Sequence, residues 1–185
     1  MKANLHSTLA VAAAFAFALF TANLPAAQTN AVPLRIGIYD SRAVAYAWFT
    51  SGPHLRELNK QIQEAKAART RGDTKRFHEL RATLRQMQGQ IMLEVFSTAP
   101  PNEALAQIKD RLPAIESAVG VTNLVSQWDK AGLKKYPRAE QMDVTDRLVH
   151  QFNPAEKQLK MISSIEKNKP VSLFWCKIMM RLGSL

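Results

Sequence analysis

The chain has 185 residues, of which 46% are apolar, with a net charge of +10 and one cysteine. Without the predicted secretion signal, about 155 residues remain, which suits one domain with a modest core and excludes two well-filled domains. Because Cys176 is the only cysteine, an internal disulfide is excluded, and stability must come from packing or oligomerisation.

Residues 1–27 have the pattern of a secretory signal peptide. Lys2 precedes an apolar core at 9–20, and small residues follow at 24–27. A membrane span needs about 20 apolar residues, so an uncleaved anchor is the weaker alternative. We therefore expect an exported protein, cleaved close to residue 27, with no nucleic-acid partner.

The exported chain opens with a strand pattern. Leu34, Ile36 and Ile38 alternate with other residues, which predicts a half-buried strand over 34–40. Asp40 and Ser41 can cap the following helix, 42–49, whose apolar character on nearly every side indicates burial. The aromatic residues of that helix are typical of a core or a subunit interface, and a ligand cleft is the alternative.

The segment 54–96 predicts a projecting antiparallel helical hairpin. Apolar residues recur at steps of three and four on both sides of a turn, which gives each helix one narrow seam. Gly72 can supply the positive φ that ends the first helix, and Asp73 or Thr74 can cap the second. The seam residues expected to face each other are Leu55, Leu58, Ile62, Phe77, Leu80, Leu84, Met87 and Ile91.

The turn of this hairpin is its most basic part. Five basic residues and one acidic residue, Asp73, lie between positions 66 and 76. Clustered charge raises the local potential, so this end could contact anionic lipid, lipopolysaccharide or an acidic client, although many solvated helix ends are simply charged. The basic tip is defined here as Lys66, Arg69, Arg71, Lys75 and Arg76.

Proline and glycine mark the next boundaries. The pair Pro100 and Pro101 ends the returning helix. Apolar spacing predicts a third helix over 105–119, with a kink at Pro113 and a stop at Gly120. Two further strands are predicted near 122–128 and 139–142, so the fold class is α+β, mostly helical, with a small β body.

Two helices and a tail complete the chain. Asp143 and Asp146 resemble a capping box that opens one helix, and Asn153, with proline after it, is a candidate cap for the next. The tail, 167–185, is dense in large apolar residues without a clear polar face. It could dock on the body, lie at a membrane surface, or result from a change of reading frame.

No motif for catalysis or for a cofactor was found. His54, His78 and His150 are far apart, and none lies beside a carboxylate at metal-ligand spacing. Four aspartates follow strands or open helices and could gather in space, but capping explains each of them locally. These are Asp40, Asp129, Asp143 and Asp146. We therefore expect no catalytic residue, metal or cofactor; an enzyme built around Asp40, Tyr46 and Trp48 is the alternative.

The order of these elements resembles the Skp/OmpH-like family of periplasmic chaperones. Residues 36–40 match the opening strand of that family, 123–125 the later strand, and 143–148 the start of the closing helix. The resemblance spans roughly 35–152, so 33–166 is expected to be one OmpH-like domain. It implies a periplasmic trimer whose helical arms have basic tips and surround an unfolded outer-membrane protein. The first predicted arm helix, 55–70, has 16 residues and would span only about 24 Å.

These features together predict a non-enzymatic, exported chaperone-like or scaffold protein of the bacterial envelope. It would form a homo-oligomer and bind unfolded or envelope proteins through its helical-hairpin body. The alternative is a structural or adaptor protein that binds anionic lipid or lipopolysaccharide through the basic tip.

Overall fold

Three short parallel strands form the sheet on which the fold is built. The structure is a computed structural model that describes residues 33–181, and the predicted signal peptide lies outside this range. Strand β1 (Arg35–Tyr39) lies between β2 (Leu124–Ser126) and β3 (Glu140–Asp143). The mostly helical α+β class predicted from the sequence is therefore confirmed.

Most of the described chain lies in helices. The helices are α1 (Ser41–Phe49), α2 (Gly52–Thr70), α3 (Thr74–Phe96), α4 (Asn102–Gln107), α5 (Leu112–Val119), α6 (Lys130–Leu133), α7 (Thr145–Val149), α8 (Glu156–Lys167) and α9 (Leu173–Arg181). Short 3-10 turns at Lys109–Arg111 and His150–Phe152 precede α5 and follow α7.

Gly37 lies in β1 where Leu124 and Val144 pack closely against the strand. It pairs with Leu124 on one neighbouring strand and with Met142 on the other. A Cβ atom at this position would lie 2.7 Å from Leu124 Cδ2 and 3.2 Å from both γ carbons of Val144. Glycine is required here because the close approach leaves no room for a side chain.

Helix α1 is the centre of the core. Nearly all of its residues are buried, and it packs against α3, α7 and α8. Its predicted burial is therefore confirmed. The Asp40 carboxylate accepts a hydrogen bond from the Arg42 backbone N–H, so the predicted cap is confirmed as well.

Helices α2 and α3 pack on each other and are joined by a short turn. Gly72 has a φ of 72°, and Asp73 accepts a hydrogen bond from the Arg76 backbone N–H at 3.0 Å, as the sequence predicts. The inner face of α2 differs from the predicted seam, because His54 is buried whereas Leu55 is 40% exposed. The prediction is wrong for Leu55 because His54 packs against the rings of Trp48 and Phe49 and so turns the start of α2 inward.

The predicted third helix is broken rather than kinked. Its residues form α4, a 3-10 turn and α5, and Pro113 lies in the first turn of α5. The prediction of a kink is wrong because a proline at a helix start has no helical hydrogen bond to lose. Gly120 has a φ of 69° and ends α5, as predicted.

The start of α8 also differs from the prediction. Asn153 has a φ of 50° and ends the preceding 3-10 turn, so it cannot cap the next helix. Helix α8 begins at Glu156, after Ala155. Asparagine tolerates the left-handed conformation better than most residues with a side chain. Asn153 therefore ends the 3-10 turn instead of capping α8.

The C-terminal helix α9 docks on α3. The Val171 backbone N–H donates to the Phe96 carbonyl at 2.9 Å, and Cys176 is buried. Gly89 leaves room on α3 for Met180, whose Cε would lie 2.8 Å from a Cβ there. Within 33–181, no helix is long and apolar enough to cross a bilayer.

Candidate functional site

The basic tip lies at the turn between α2 and α3, and its five side chains are exposed. Arg76 pairs with Glu64 at 3.1 Å and with Glu79 at 3.6 Å. Arg69 lies 6.0 Å from the centre of the Phe77 ring. Among the described residues, Arg76 is the one member of the tip that forms an ion pair. Most of the positive charge of the basic tip is therefore available to an anionic partner.

The apolar residues of α2 and α3 are buried to different degrees. Leu80 is buried and Leu55 is exposed. The remaining predicted seam residues are half-buried: Leu58, Ile62, Phe77, Leu84, Met87 and Ile91. The helix pair consequently leaves part of its apolar surface in contact with solvent.

The carboxyl ends of the three strands bring acidic residues to one edge of the sheet. Asp40 follows β1, Asp143 ends β3, and Asp129 lies three residues after β2. Asp146 lies in the first turn of α7. The carboxyl edge of a parallel sheet is where open α/β proteins bind ligands, so this edge is the natural place to look for a site.

Asp40 is engaged in an ion pair with Arg42 at 2.7 Å, and both side chains are almost fully buried. Its carboxylate accepts hydrogen bonds from the backbone N–H, Nε and Nη2 of Arg42 and from Nε1 of Trp128. Three of these bonds converge on Oδ1 and one reaches Oδ2. The carboxylate is therefore held in a buried ion pair, which suits a structural role better than that of a general base.

Arg42 extends this pair into a network between distant elements. Its Nη1 donates to the Asn168 carbonyl at 2.8 Å, and its guanidinium lies 4.9 Å from the centre of the Trp128 ring. Thr145 Oγ1 accepts from the Asp40 backbone N–H at 3.0 Å. The network joins β1 and α1 to the segments that follow β2, β3 and α8.

The charges of this network shift the pKa of two carboxyl groups. Burial would raise the pKa of Asp40, but the hydrogen bonds from Arg42 and Trp128 and the charge of Arg42 hold it below its usual value. Burial raises the pKa of Glu166, as do three nearby aspartates, while Arg42 opposes the shift. The aspartates are Asp146, Asp40 and Asp143. Arg42 thus lowers the pKa of both Asp40 and Glu166, against the effect of burial.

The other aspartates also have structural partners. Asp143 accepts from the Thr145 backbone N–H at 2.8 Å, and Asp129 accepts from the Gly132 backbone N–H at 2.9 Å. Beside Asp129, Tyr39 and Trp128 help to line a cleft of about 540 Å³. Burial and the charge of Asp129 raise the pKa of Tyr39 to about 12, so this phenol is a hydrogen-bonding group rather than a base at neutral pH.

The histidines do not come together. His54 is buried, and burial lowers its pKa although Glu103 opposes the shift. His78 and His150 are exposed. Within the described part of the chain, no group of three or more His, Cys, Asp or Glu residues could hold a metal ion.

A second acidic group lies near the start of α2. Gln90 Nε2 donates to both Glu94 and Glu103, at 3.1 Å each. Glu94 is 6% exposed, and its other oxygen has no hydrogen-bond partner among the described residues. Burial raises the pKa of Glu94, the hydrogen bond from Gln90 opposes this shift, and the charge of Glu103 adds to it.

Sequence reasoning missed Arg42 and Trp128 as partners of Asp40. The available signal was Arg42 itself, a charged residue in an otherwise apolar and buried helix. No family model, curated protein or solved structure matches this chain. The Skp/OmpH-like resemblance therefore depends on the sequence motifs alone.

Proposed function

We propose that this is a non-enzymatic, exported protein of the bacterial envelope that holds or scaffolds other envelope proteins. In this proposal α2 and α3 form a projecting antiparallel hairpin on the small β body. The observation that carries it is the exposure of these two long helices, since α2 buries only His54, Ala65 and Ala68 among its 19 residues. A helix of that length with so little burial is suited to contacts outside its own chain.

Two features of the helix pair fit a client that is unfolded or newly exported. Leu55, Leu58 and Ile62 on α2 offer partly exposed apolar surface, which would take up apolar segments of a client. The basic tip would attract acidic segments and increase the rate of encounter. The buried ion pair of Asp40 with Arg42, together with the bond from Trp128, favours a structural role for Asp40 over the enzyme alternative.

The resemblance to the Skp/OmpH-like family further suggests a homotrimer in the periplasm. Helix α2 is about 28 Å long at the usual helical rise, so one arm reaches across only part of a client. Oligomerisation would place several such arms around one client. No cofactor is included in this proposal.

The proposal is tested with protein that starts at residue 28. We expect it to sediment as an oligomer and to slow the aggregation of an unfolded outer-membrane protein. A triple variant, Leu55→Ser/Leu58→Ser/Ile62→Ser, should lose most of this protection. The matched control is Asn59→Ser/Gln63→Ser, because both side chains are exposed on the same helix. A monomer without effect on aggregation would refute the proposal.

The alternative proposal is an adaptor that binds anionic lipid or lipopolysaccharide through the basic tip. It is favoured by four tip residues that have no carboxylate partner among the described ion pairs. Binding to anionic liposomes should then fall steeply with salt concentration. It should also fall when Arg69, Arg71, Lys75 and Arg76 are replaced by glutamate, and unchanged binding would exclude this alternative.

A further inference from the structure

Four large apolar side chains form an exposed patch where α9 docks on α3. Phe174 is 68% exposed, Trp175 59%, Phe96 49% and Val171 38%. The backbone hydrogen bond from Val171 to Phe96 joins the two segments, and the rings of Phe174 and Trp175 are 5.9 Å apart. We call this surface the α9 patch. The docked side of the same helix carries Cys176, which is buried.

The segment that carries most of the α9 patch is basic and contains no acidic residue. Between positions 167 and 181 the sequence contains four basic residues and no Asp or Glu. All four are exposed: Lys167, Lys169, Lys177 and Arg181. Exposed aromatic rings on a short basic segment suit the boundary between lipid headgroups and acyl chains.

Two occupants of an apolar patch must be distinguished, a second copy of the chain and a membrane. A symmetric contact between two copies would bring the same patch of each chain together. The basic residues would then face one another without a carboxylate from 167–181 to neutralise them, and like charges oppose such a contact. An anionic lipid surface supplies both the apolar layer and the negative charge.

We propose that the α9 patch binds at the interface of an anionic membrane. Phe174 and Trp175 enter the headgroup region, and Lys169, Lys177 and Arg181 contact the lipid phosphates. The helix lies along the surface and stays docked on α3 through its Cys176 side. This surface is separate from the basic tip, so the proposal does not depend on the function proposed above.

The test uses protein from residue 28 onward, which lacks the apolar segment 9–20 that would itself bind lipid. Co-sedimentation is measured with vesicles of phosphatidylcholine alone and with vesicles that also contain phosphatidylglycerol. We expect binding to the anionic vesicles only, with a blue shift of the tryptophan emission that is absent when Trp175 is replaced. The variant Phe174→Ser/Trp175→Ser should bind at least about tenfold more weakly, because burial of one large apolar side chain is equivalent to roughly that factor.

A second variant, Lys169→Glu/Lys177→Glu, should also reduce binding by more than about tenfold, since each basic residue near an anionic surface contributes roughly fivefold. The matched control is Leu34→Ser/Met161→Ser, which removes two exposed apolar side chains outside the patch. Every substituted side chain is exposed, so we expect all variants to fold. Circular dichroism checks this.

Two results would overturn the proposal. The first is that both patch variants bind the anionic vesicles as strongly as the wild-type protein does. This includes the case in which only charge reversal of the basic tip abolishes binding. The second is an oligomer that dissociates in Phe174→Ser/Trp175→Ser without any binding of the wild-type protein to vesicles. That outcome would assign the patch to a second copy of the chain.

Discussion

Replacement of Asp40 by asparagine tests the central network most directly. Asp40→Asn removes the negative charge that faces Arg42 and leaves a guanidinium that is 3% exposed without its partner. The amide nitrogen of asparagine would also place a donor opposite the donors of Arg42 or Trp128. Breaking a buried ion pair in this way costs about 3–5 kcal/mol, a large share of the roughly 5–15 kcal/mol that stabilises a typical domain.

The free energy of unfolding is measured by denaturant titration at pH 7, followed by circular dichroism. Asp129→Asn is the matched control, because Asp129 is exposed and its capping bond to Gly132 can be made equally well by asparagine. We expect the control to change stability by less than about 0.5 kcal/mol. A loss below about 1 kcal/mol in Asp40→Asn would refute the reasoning, because it would mean that Arg42 is not held by this carboxylate.

The pH dependence has a defined sign. The pKa of Asp40 is lower in the folded protein than in the unfolded chain, so its stabilising effect is complete above the unfolded pKa of about 3.9. The effect is lost as the pH falls through the lower, folded pKa. The stability difference between wild type and Asp40→Asn should therefore shrink in acid, and a constant difference down to the acid transition would contradict this assignment.

Three other substitutions have predicted effects on the free energy of unfolding. Gly37→Ala should cost about 1–3 kcal/mol, because its Cβ would collide with Leu124 and Val144. Gly120→Ala should cost about 1 kcal/mol, because its φ of 69° disfavours a side chain. Glu94→Gln should stabilise the protein at pH 7. Burial, and then the charge of Glu103, raise the pKa of Glu94, so the folded protein disfavours the ionised carboxylate at that pH. This gain should vanish as the pH falls below the unfolded pKa of about 4.3. Denaturant titration checks each value, and a neutral result at Gly37 or a loss at Glu94 would contradict the structure.

Local signals in the sequence were sufficient for several parts of the fold. Asp40 before α1, Gly72 and Asp73 in the turn, and Gly120 after α5 act through their own backbone geometry, which neighbouring residues determine. The burial of α1 followed from its apolar composition. Such features need no knowledge of distant contacts.

Other parts of the fold depend on contacts that spacing cannot encode. The rotation of α2 is set by the rings of Trp48 and Phe49 around His54, so Leu55 turns outward despite its apolar character. The order β2–β1–β3 depends on which strands meet after long connections. The candidate site was only partly predictable for the same reason. The sequence indicated that the aspartates could gather. It could not indicate the hydrogen bond from Trp128 to Asp40, because the two residues are 88 positions apart.

The docking of α9 gives the molecule a built-in chemical reporter. Cys176 is 1% exposed, and burial raises the pKa of its thiol, so two separate effects protect it from reagents that attack a thiolate. A thiol-specific dye can react only when α9 leaves α3. The rate of labelling therefore measures how often the two helices separate. An oxidant that links two chains through this cysteine would trap the same opened state.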